Sequence, residues 1–287
     1  MTIELGANRY GKSAIRLVKL VRGADRDVVR DLTIDIALEG DFVAAHTARD
    51  NSRVIATDTM KNTAYALAAD SLGADTPIEA FGIVLGRHFA AIEQVTSVEV
   101  SIAEHDWRPV ATSSGVAGHA FTRAGGGTRR AVVRLAADGA VDVRAGIDDL
   151  TVMKTSGSAF AGFPRDAKTT LADTDDRILA TRIEARWRYG GGELDHNAEY
   201  VAVVATLLES FAEHESASVQ HSIWVMGHAI LDRHPAVTEV TMRLPNLHHW
   251  LVDLSPFGVE NDRSVFLATR EPYGLIEATV RRGAADG

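Results

Sequence analysis

Alternation of apolar and polar residues is the main secondary-structure signal along this chain. Between residues 32 and 38, Ile34, Ile36 and Leu38 fall on one side of an extended chain, and Thr33 and Asp35 fall on the other. Similar strand-like patterns occupy residues 15–22, 98–102, 129–135, 150–154, 182–189, 237–244, 265–269 and 275–280. These stretches predict a protein rich in half-buried strands.

Four other stretches have the composition or spacing of helices. Residues 61–72 are rich in alanine. Thr76-Pro77-Ile78-Glu79 has the pattern of a helix start, with a threonine cap, proline at the first position and glutamate at the third. An apolar stripe from Tyr200 to Phe211 predicts a third helix, and a fourth follows a serine cap at Ser216 or Ser218.

The predicted elements occur in the same order twice: strand, strand, helix, helix, strand, strand. Strands joined by short connections favour an antiparallel sheet, with the helices packed on one face. We therefore predict an α+β protein with two similar halves, residues 1–147 and 148–287. The duplication rests on the order of elements, because no residue-level repeat is visible.

Composition excludes several classes of protein. The formal net charge of −9 argues against sequence-independent nucleic-acid binding, which needs a basic surface. The absence of cysteine excludes disulfides, iron–sulfur clusters and thiolate zinc sites, and it is compatible with a reducing cytoplasm. No apolar run is long enough to span a membrane, and the first residues lack a signal pattern. We expect a cytoplasmic protein with no nucleic-acid or membrane partner.

The usual cofactor and nucleophile motifs are also missing. No glycine-rich phosphate loop follows a strand, no HExxH spacing suggests a metal, and no GxSxG sequence suggests a serine nucleophile. Three short segments carry polar chemistry instead: Tyr10-Gly11-Lys12, the stretch from Ile55 to Thr63, and the stretch from Leu244 to His249. They offer a lysine, a threonine and a histidine as a possible proton relay.

Each member of this relay also has an ordinary structural interpretation. Lys12 could be a surface lysine beside a strand. Thr57, or a neighbour, could cap a helix that begins near Lys61. His248 and His249 would point to opposite faces of one strand, so at most one of them would belong to a site.

A second group of residues suggests the binding of a flat anion. Arg177 could form a surface salt bridge with Asp175 or Asp176, or its planar fork could bind adjacent oxygen and nitrogen acceptors. Gln220, at a helix start, offers both a donor and an acceptor. Phe160 could stack on a ring, or it could be a core aromatic residue beside Phe163.

Seven segments, taken in order and spacing, resemble urate oxidase (uricase). They are Tyr10–Lys12, Ala56–Thr63, Leu150–Lys154, Phe160–Asp166, Asp176–Thr181, Ser216–Gln220 and Leu244–His248. Each alone would be weak, but the seven together span nearly the whole chain and are highly specific. The stretch 104–127 shows the least correspondence.

The resemblance implies a tandem tunnelling fold in which each half is an antiparallel ββααββ unit. It further implies that subunits pair their sheet edges into a barrel and stack as a homotetramer, with active sites at subunit interfaces. Unpaired sheet edges are otherwise prone to aggregation, so this assembly is physically reasonable.

The resemblance also implies a role for each candidate residue. Lys12, Thr57 and His248 would be catalytic. The substrate-binding residues would be Thr57, Asp58, Phe160, Arg177, Val219, Gln220 and Asn246. Lys12, Thr57 and Asp58 would come from one chain and the others from its neighbour. The reaction would convert urate, O2 and water to 5-hydroxyisourate and hydrogen peroxide, with no cofactor and no metal.

Two alternatives remain open from the sequence. A pterin-handling enzyme of the same fold would bind a similar heterocycle, although several such enzymes use zinc. A non-catalytic purine-binding protein would keep Arg177, Gln220 and Phe160 without needing Lys12. Two residues also depart from the family pattern, and either could alter the pocket wall or a surface contact: Ala161 stands where a larger residue is expected, and Leu247 where a lysine is common.

Overall fold

The computed structural model describes residues 2–113 and 115–283. Its contacts divide the chain into two compact units. Unit one contains the residues up to Gly146 together with Gly191–Ala198, and unit two contains Ile147–Gly190 and the residues from Glu199 onward. The short segment Gly191–Ala198 joins unit one through Asn197, which accepts a hydrogen bond from Arg129 and donates one to the backbone of Asp75. The predicted boundary at residue 147 does not take this segment into account.

Unit one is an antiparallel sheet with helices on one face. Its elements are β1 Tyr10–Val21, β2 Val28–Gly40, α1 Val43–Thr47, α2 Thr57–Ser71, α3 Ile78–Ala90, β3 Val95–Glu104, β4 Trp107–Thr112, β5 Gly115–Arg123 and β6 Thr128–Ala136. The sheet order is β1-β2-β3-β6, and each neighbouring pair is antiparallel. Strands β4 and β5 pair separately. They occupy the stretch 104–127 that corresponds least to the family pattern.

Unit two repeats this arrangement. Its elements are β7 Val141–Lys154, β8 Leu179–Tyr189, α4 His196–Glu213, α5 Val219–Arg233, β9 Val237–Leu247, β10 His249–Leu251, a 3-10 turn Ser255–Phe257, β11 Phe266–Ala268 and β12 Gly274–Arg281. The sheet order is β7-β8-β9-β12, with β8–β9 and β9–β12 antiparallel. Strands β10 and β11 form a small separate pair. Both β7 and α4 have their first residues in unit one.

The cores follow from the alternation seen in the sequence. In β2, the apolar residues Leu32, Ile34, Ile36 and Leu38 are each 1% exposed or less, because this face is covered by the helices. In β8, the inward residues are Ile183, Ala185, Trp187 and Tyr189. The helical stripes complete each core, since Phe81, Leu85 and Phe89 of α3 and Ile223, Met226 and Ile230 of α5 are also buried. The α+β class with an antiparallel sheet is confirmed. In the part of the chain described here, no helix is long and apolar enough to cross a membrane.

Three predictions of helix starts were wrong or incomplete. The first long helix begins at Thr57, with Ala56 in the cap position, and not near Lys61. Helix α3 begins at Ile78, and the Thr76 hydroxyl accepts a hydrogen bond from the Gly73 N–H at 2.8 Å instead of capping the helix. For α5 the sequence allowed either Ser216 or Ser218 as the cap. The cap is Ser218, whose side chain accepts a hydrogen bond from the His221 N–H.

Glu79 also has a different role from the predicted capping glutamate. It is fully buried, and Arg129 Nη2 donates to its Oε2 atom at 2.7 Å. Burial raises the pKa of the Glu79 carboxyl, and the charge of Arg129 opposes that rise. The pair joins α3 to β6 at the core, so the side chain that would complete a capping box is directed into the protein.

Candidate active site

One cavity in unit two gathers several of the predicted binding residues. Its volume is about 590 Å³. Its lining comprises Phe160, Thr170, Leu171, Ala172, Asp173, Thr174, Arg177, Ile178, Asn246, His248, His249 and Trp250. The wall is formed by the loop that precedes β8 and by the end of β9 with the start of β10. The dimensions are compatible with a small planar ligand.

Backbone hydrogen bonds hold the loop that carries Phe160 and Arg177. Phe160 and Thr174 exchange two of them, at 2.8 and 3.0 Å, and the Arg177 N–H donates to the Ser158 carbonyl at 2.8 Å. The guanidinium carbon of Arg177 lies 5.2 Å from the centroid of the Phe160 ring, which is a cation–π distance. The loop therefore presents an aromatic face and a cation side by side.

Phe160 also contacts Phe163, as its ordinary interpretation predicted. Their rings are stacked with centroids 4.9 Å apart and planes at 13°. The two interpretations are compatible, because Phe160 packs on Phe163 and lines the cavity as well. Its stacking on a ligand stays a prediction.

Arg177 is the main positive charge of the cavity. Its Nε atom is buried and has no hydrogen-bond partner among the residues that the structure describes. The salt bridge considered from the sequence is not formed within those residues, and Asp176 instead accepts the Gly157 N–H. Burial lowers the pKa of the guanidinium, which nevertheless stays charged at neutral pH. A half-buried cation without a carboxylate partner favours an anionic ligand.

His248 lies between the last residue of β9 and the first residue of β10. Its ring stacks on Trp250, with centroids 5.2 Å apart and planes at 27°. Burial lowers the pKa of the His248 imidazole, and the positive charges of Arg177 and His249 lower it further. The ring is therefore neutral at neutral pH and can accept a proton.

The prediction that His249 would face away from a site containing His248 was wrong. Both residues line the cavity. Strand β9 ends at Leu247, so the alternation of a regular strand does not continue through the two histidines. Asn246, the last lining residue within β9, lies on the helix-covered face in line with Leu244 and Met242.

Val219 and Gln220 are placed at the first turn of α5, but not in the wall of this cavity. Val219 is buried and Gln220 is exposed. Two backbone hydrogen bonds tie the segment before α5 to the loop before Phe160: Ser216 N–H to the Gly157 carbonyl at 2.9 Å and Ala159 N–H to the Ser216 carbonyl at 2.7 Å. The helix N-terminus is thus adjacent in structure to the Phe160 loop.

Lys12, Thr57 and Asp58 belong to unit one. Lys12 is in β1, opposite Ile36 and immediately before an irregularity in the strand pairing. Thr57 and Asp58 are the first residues of α2, which packs against β1. The Tyr10 hydroxyl binds both backbone groups of Ile55, accepting its N–H at 2.8 Å and donating to its carbonyl at 3.2 Å. This contact fixes the start of α2 beside the strand that carries Lys12.

The Asp58 carboxylate already has protein partners. It accepts hydrogen bonds from Lys61 and from Asn62. The bond from Lys61 is the main cause of a lowered Asp58 pKa, with smaller contributions from Asn62 and from the charge of Lys12. The carboxylate is therefore ionised at neutral pH, and its predicted contact with a ligand stays a prediction.

Sequence reasoning missed part of the cavity wall. Thr170–Thr174 and Trp250 were not singled out, and His249 was considered but placed outside the site. The 170–174 segment has no strand or helix periodicity, so its position depends on the two hydrogen bonds between Phe160 and Thr174. In the described part of the chain, no group of three His, Cys, Asp or Glu side chains could hold a metal ion.

The model of the protein family called Uricase matches residues 8–134 and 143–277 of this chain. The chain belongs to the uricase family. It is 46% identical to the uricase of Arthrobacter globiformis over 281 residues, covering 98% of this chain and 90% of the relative. It is 37% identical to the uricase of Dictyostelium discoideum, covering 96% of each chain.

Solved uricase structures agree with this assignment. The crystal structure of the Arthrobacter globiformis uricase has a TM-score of 0.93 and 44% identity, covering 100% of this chain and 98% of that one. The crystal structure of a uricase from Bacillus fastidious has a TM-score of 0.81 and 28% identity, covering 96% and 93%. The resemblance found in the sequence is confirmed at the level of the family and its fold. Membership of the uricase family also favours urate oxidation over a pterin-handling enzyme or a non-catalytic purine-binding protein.

The charge of Arg177 beside His248 leads to a first prediction. Replacing Arg177 with Gln should raise the pKa of His248, because one of the positive charges that disfavour the imidazolium is removed. The pKa can be followed by NMR on protein with labelled histidine, with the His248 signal assigned from its loss in His248→Gln. Arg182→Gln, an exposed change in β8, is the control and should leave the titration unchanged. An unaltered His248 pKa in Arg177→Gln would show that the two side chains do not interact.

Proposed function

We propose that this member of the uricase family converts urate, O2 and water to 5-hydroxyisourate and hydrogen peroxide without a cofactor. It is a urate oxidase, an enzyme of purine catabolism, by its family and its relatives. The observation that carries the proposal at the level of the site is the cavity in which Phe160, Arg177, Asn246 and His248 meet. Urate loses two electrons and two protons to O2, which leaves as hydrogen peroxide, and water supplies the new hydroxyl group.

Arg177 and Phe160 are proposed to bind the urate anion. The guanidinium fork can donate two parallel hydrogen bonds to adjacent oxygen and nitrogen acceptors of a flat heterocycle. Its buried, unpartnered Nε supports this role, because ligand binding would compensate for the desolvation of the charge. Phe160 would stack on the ring, and the positive end of α5 with Val219 and Gln220 would favour the anion further.

Lys12, Thr57 and His248 are proposed to remove a second proton from bound urate. The Thr57 hydroxyl can accept and donate at once, so it can conduct a proton to Lys12. A lowered pKa keeps His248 neutral, which suits a proton acceptor. The resulting dianion is electron-rich and can reduce O2 directly. A peroxide intermediate then loses hydrogen peroxide, and water activated by Thr57 and Lys12 adds in its place.

Asn246 is proposed to hold the water or the dioxygen beside the urate ring. Its carboxamide provides one donor edge and one acceptor edge, so it can bind either molecule. Asn246 lines the cavity together with Arg177 and His248, which supports this assignment. The protein then contributes positioning and charge stabilisation, and the chemistry belongs to urate and oxygen.

The active site is proposed to be shared between subunits of a homotetramer. Lys12, Thr57 and Asp58 would come from one chain, and Phe160, Arg177, Val219, Gln220, Asn246 and His248 from its neighbour. The supporting observation is that the two sets belong to different compact units of the chain. Pairing of edge strands such as β1 and β12 with other subunits would also cover unpaired sheet edges, which are otherwise prone to aggregation.

Oxygen uptake tests the proposed reaction. Protein dialysed against a chelator should still consume O2 when urate is added, with loss of the urate ultraviolet band and release of hydrogen peroxide. Boiled protein is the control for urate autoxidation. Loss of activity on chelation that returns with an added metal would contradict cofactor independence, and the absence of any urate-dependent uptake would contradict the proposed function.

Kinetics of an arginine variant test the binding site. Arg177→Gln should raise KM for urate by roughly 10- to 150-fold, the equivalent of about 1.5–3 kcal/mol for a charge-assisted hydrogen bond. Arg165→Gln is a matched control, because Arg165 pairs with Asp173 at 3.1 Å beside the same loop but does not line the cavity. Equal affinities for urate in both variants would place the binding site elsewhere.

Subunit mixing tests the shared site. Lys12→Met and Arg177→Gln proteins are each expected to be impaired. After unfolding and refolding as an equal mixture, they should regain about a quarter of wild-type activity. About half of the randomly formed pairs contain unlike chains, and each such pair re-forms one intact site out of two. Each variant refolded alone is the control. Mixed oligomers that stay as inactive as the single variants would locate the whole site in one chain.

A further inference from the structure

Three buried polar atoms next to the cavity lack hydrogen-bond partners among the described residues. They are the Ser158 hydroxyl, Arg177 Nε and the Thr181 hydroxyl. Thr181 differs from the others because it is in the regular part of β8 and is 0% exposed. A buried hydroxyl without a partner is unfavourable, so its presence there calls for a physical reason.

The strand register places Thr181 directly beside a proposed site residue. Thr181 of β8 pairs with Asn246 of β9. Directly opposed residues have their side chains on the same face, with Cβ atoms about 5 Å apart. On its other side Asn246 pairs with Gly274 of β12, which has no side chain. Thr181 therefore supplies the side chain that flanks Asn246 within the sheet.

The surrounding face of the sheet is apolar. Along β8, Leu179, Ile183 and Ala185 are buried on the same face as Thr181. Along β9, Val240, Met242 and Leu244 lead to Asn246 in the same way. Packing alone would be satisfied by valine at position 181, which has nearly the shape of threonine. Thr181 and Asn246 thus place two polar side chains opposite each other in this apolar part of the face, at the end of the sheet where the cavity lies.

The Asn246 carboxamide needs a partner to fix its orientation. No side-chain hydrogen bond holds it within the described residues, and its oxygen and nitrogen ends differ only in hydrogen-bond character. Rotation by half a turn would exchange the donor and the acceptor that face the cavity. A neighbouring hydroxyl can bind one end and leave the other for the ligand.

We propose that Thr181 is a positioning residue that acts through Asn246: in the loaded site its hydroxyl hydrogen-bonds to the Asn246 carboxamide and determines which end faces the water or dioxygen. This inference rests on the proposed function of Asn246. Thr181 does not line the cavity, so we expect no contact between its side chain and bound urate. Loss of its hydroxyl should accordingly lower turnover more than urate affinity.

Variants of Thr181 test this role. Thr181→Val should lower kcat by about 3- to 10-fold, the equivalent of one net hydrogen bond, with KM for urate unchanged. Thr181→Ser restores the hydroxyl and should turn over urate at close to the wild-type rate. Thr181→Ala also lacks the hydroxyl and replaces the valine variant if that protein does not fold. A Thr181→Val, Asn246→Ala double variant should be no slower than Asn246→Ala alone, because Thr181 acts only through the amide.

Thr206→Val is the matched control for loss of a buried hydroxyl. The Thr206 hydroxyl is hydrogen-bonded to His234 at 2.9 Å, on α4 and outside the cavity. Thr206→Val should lower Tm and leave kcat unchanged. Thr181→Val should lower kcat without lowering Tm, because the Thr181 hydroxyl makes no hydrogen bond in the described part of the free protein. If Thr181 had only a structural role, Thr181→Val would lower Tm and leave kcat unchanged.

Several outcomes would overturn the inference. One is a wild-type kcat in Thr181→Val, and another is a Thr181→Ser variant as impaired as Thr181→Val. A third is a lowered Tm of Thr181→Val that accounts for its lost activity. A crystal structure of wild-type protein grown with urate under nitrogen is a direct check, since a Thr181 hydroxyl beyond hydrogen-bond distance of the Asn246 side chain also overturns it. Wild-type protein that fails to oxidise urate would instead contradict the proposed function, and this is measured before any variant is compared.

Discussion

The antiparallel register of β8 with β9 is the constraint on which the candidate site depends. Ala180 pairs with Leu247 and Thr181 with Asn246, so the start of one strand lies beside the end of the other. The residues just before β8 include Arg177, and the residue just after β9 is His248. Two segments about 70 positions apart in the chain are thereby brought to one cavity. A slip of one residue would turn Asn246 to the opposite face and separate this set.

This register is itself a consequence of apolar burial. Beyond a register shift at Arg188–Tyr189, the inward residues of β8 and β9 alternate regularly up to the cavity and pack under α4 and α5. The buried core therefore fixes the positions of Asn246 and His248. The loop before β8 is held by a few backbone hydrogen bonds, which suffice to place Phe160 and Arg177. A positive charge is placed in this way inside a protein whose formal net charge is −9. Local burial, and not overall charge, determines which ligand such a cavity favours.

The strands and helices could largely be predicted from the sequence, because period-two and helical spacing report which face is buried. Helix starts were harder. Glu79 fits a capping box by composition, but a buried partnership with Arg129 has a greater effect than the local motif. For the site, single residues such as Arg177 and His248 have ordinary interpretations, and it was the set of seven family segments that selected them. Thr170–Thr174 and His249 could not be found, since their positions depend on tertiary contacts and on a strand that ends one residue before His248.

The Tyr10 hydroxyl has a consequence for the alkaline behaviour of unit one. Burial raises the Tyr10 pKa above its ordinary value of 10.0. Above that ordinary value the unfolded chain loses the phenolic proton before the folded chain does, so folding becomes less favourable as pH rises. Once the folded phenol ionises, it can no longer donate to the Ile55 carbonyl. The tie between β1 and the start of α2 would then weaken, and the strand bearing Lys12 and the helix bearing Thr57 would lose their common anchor in strongly basic solution.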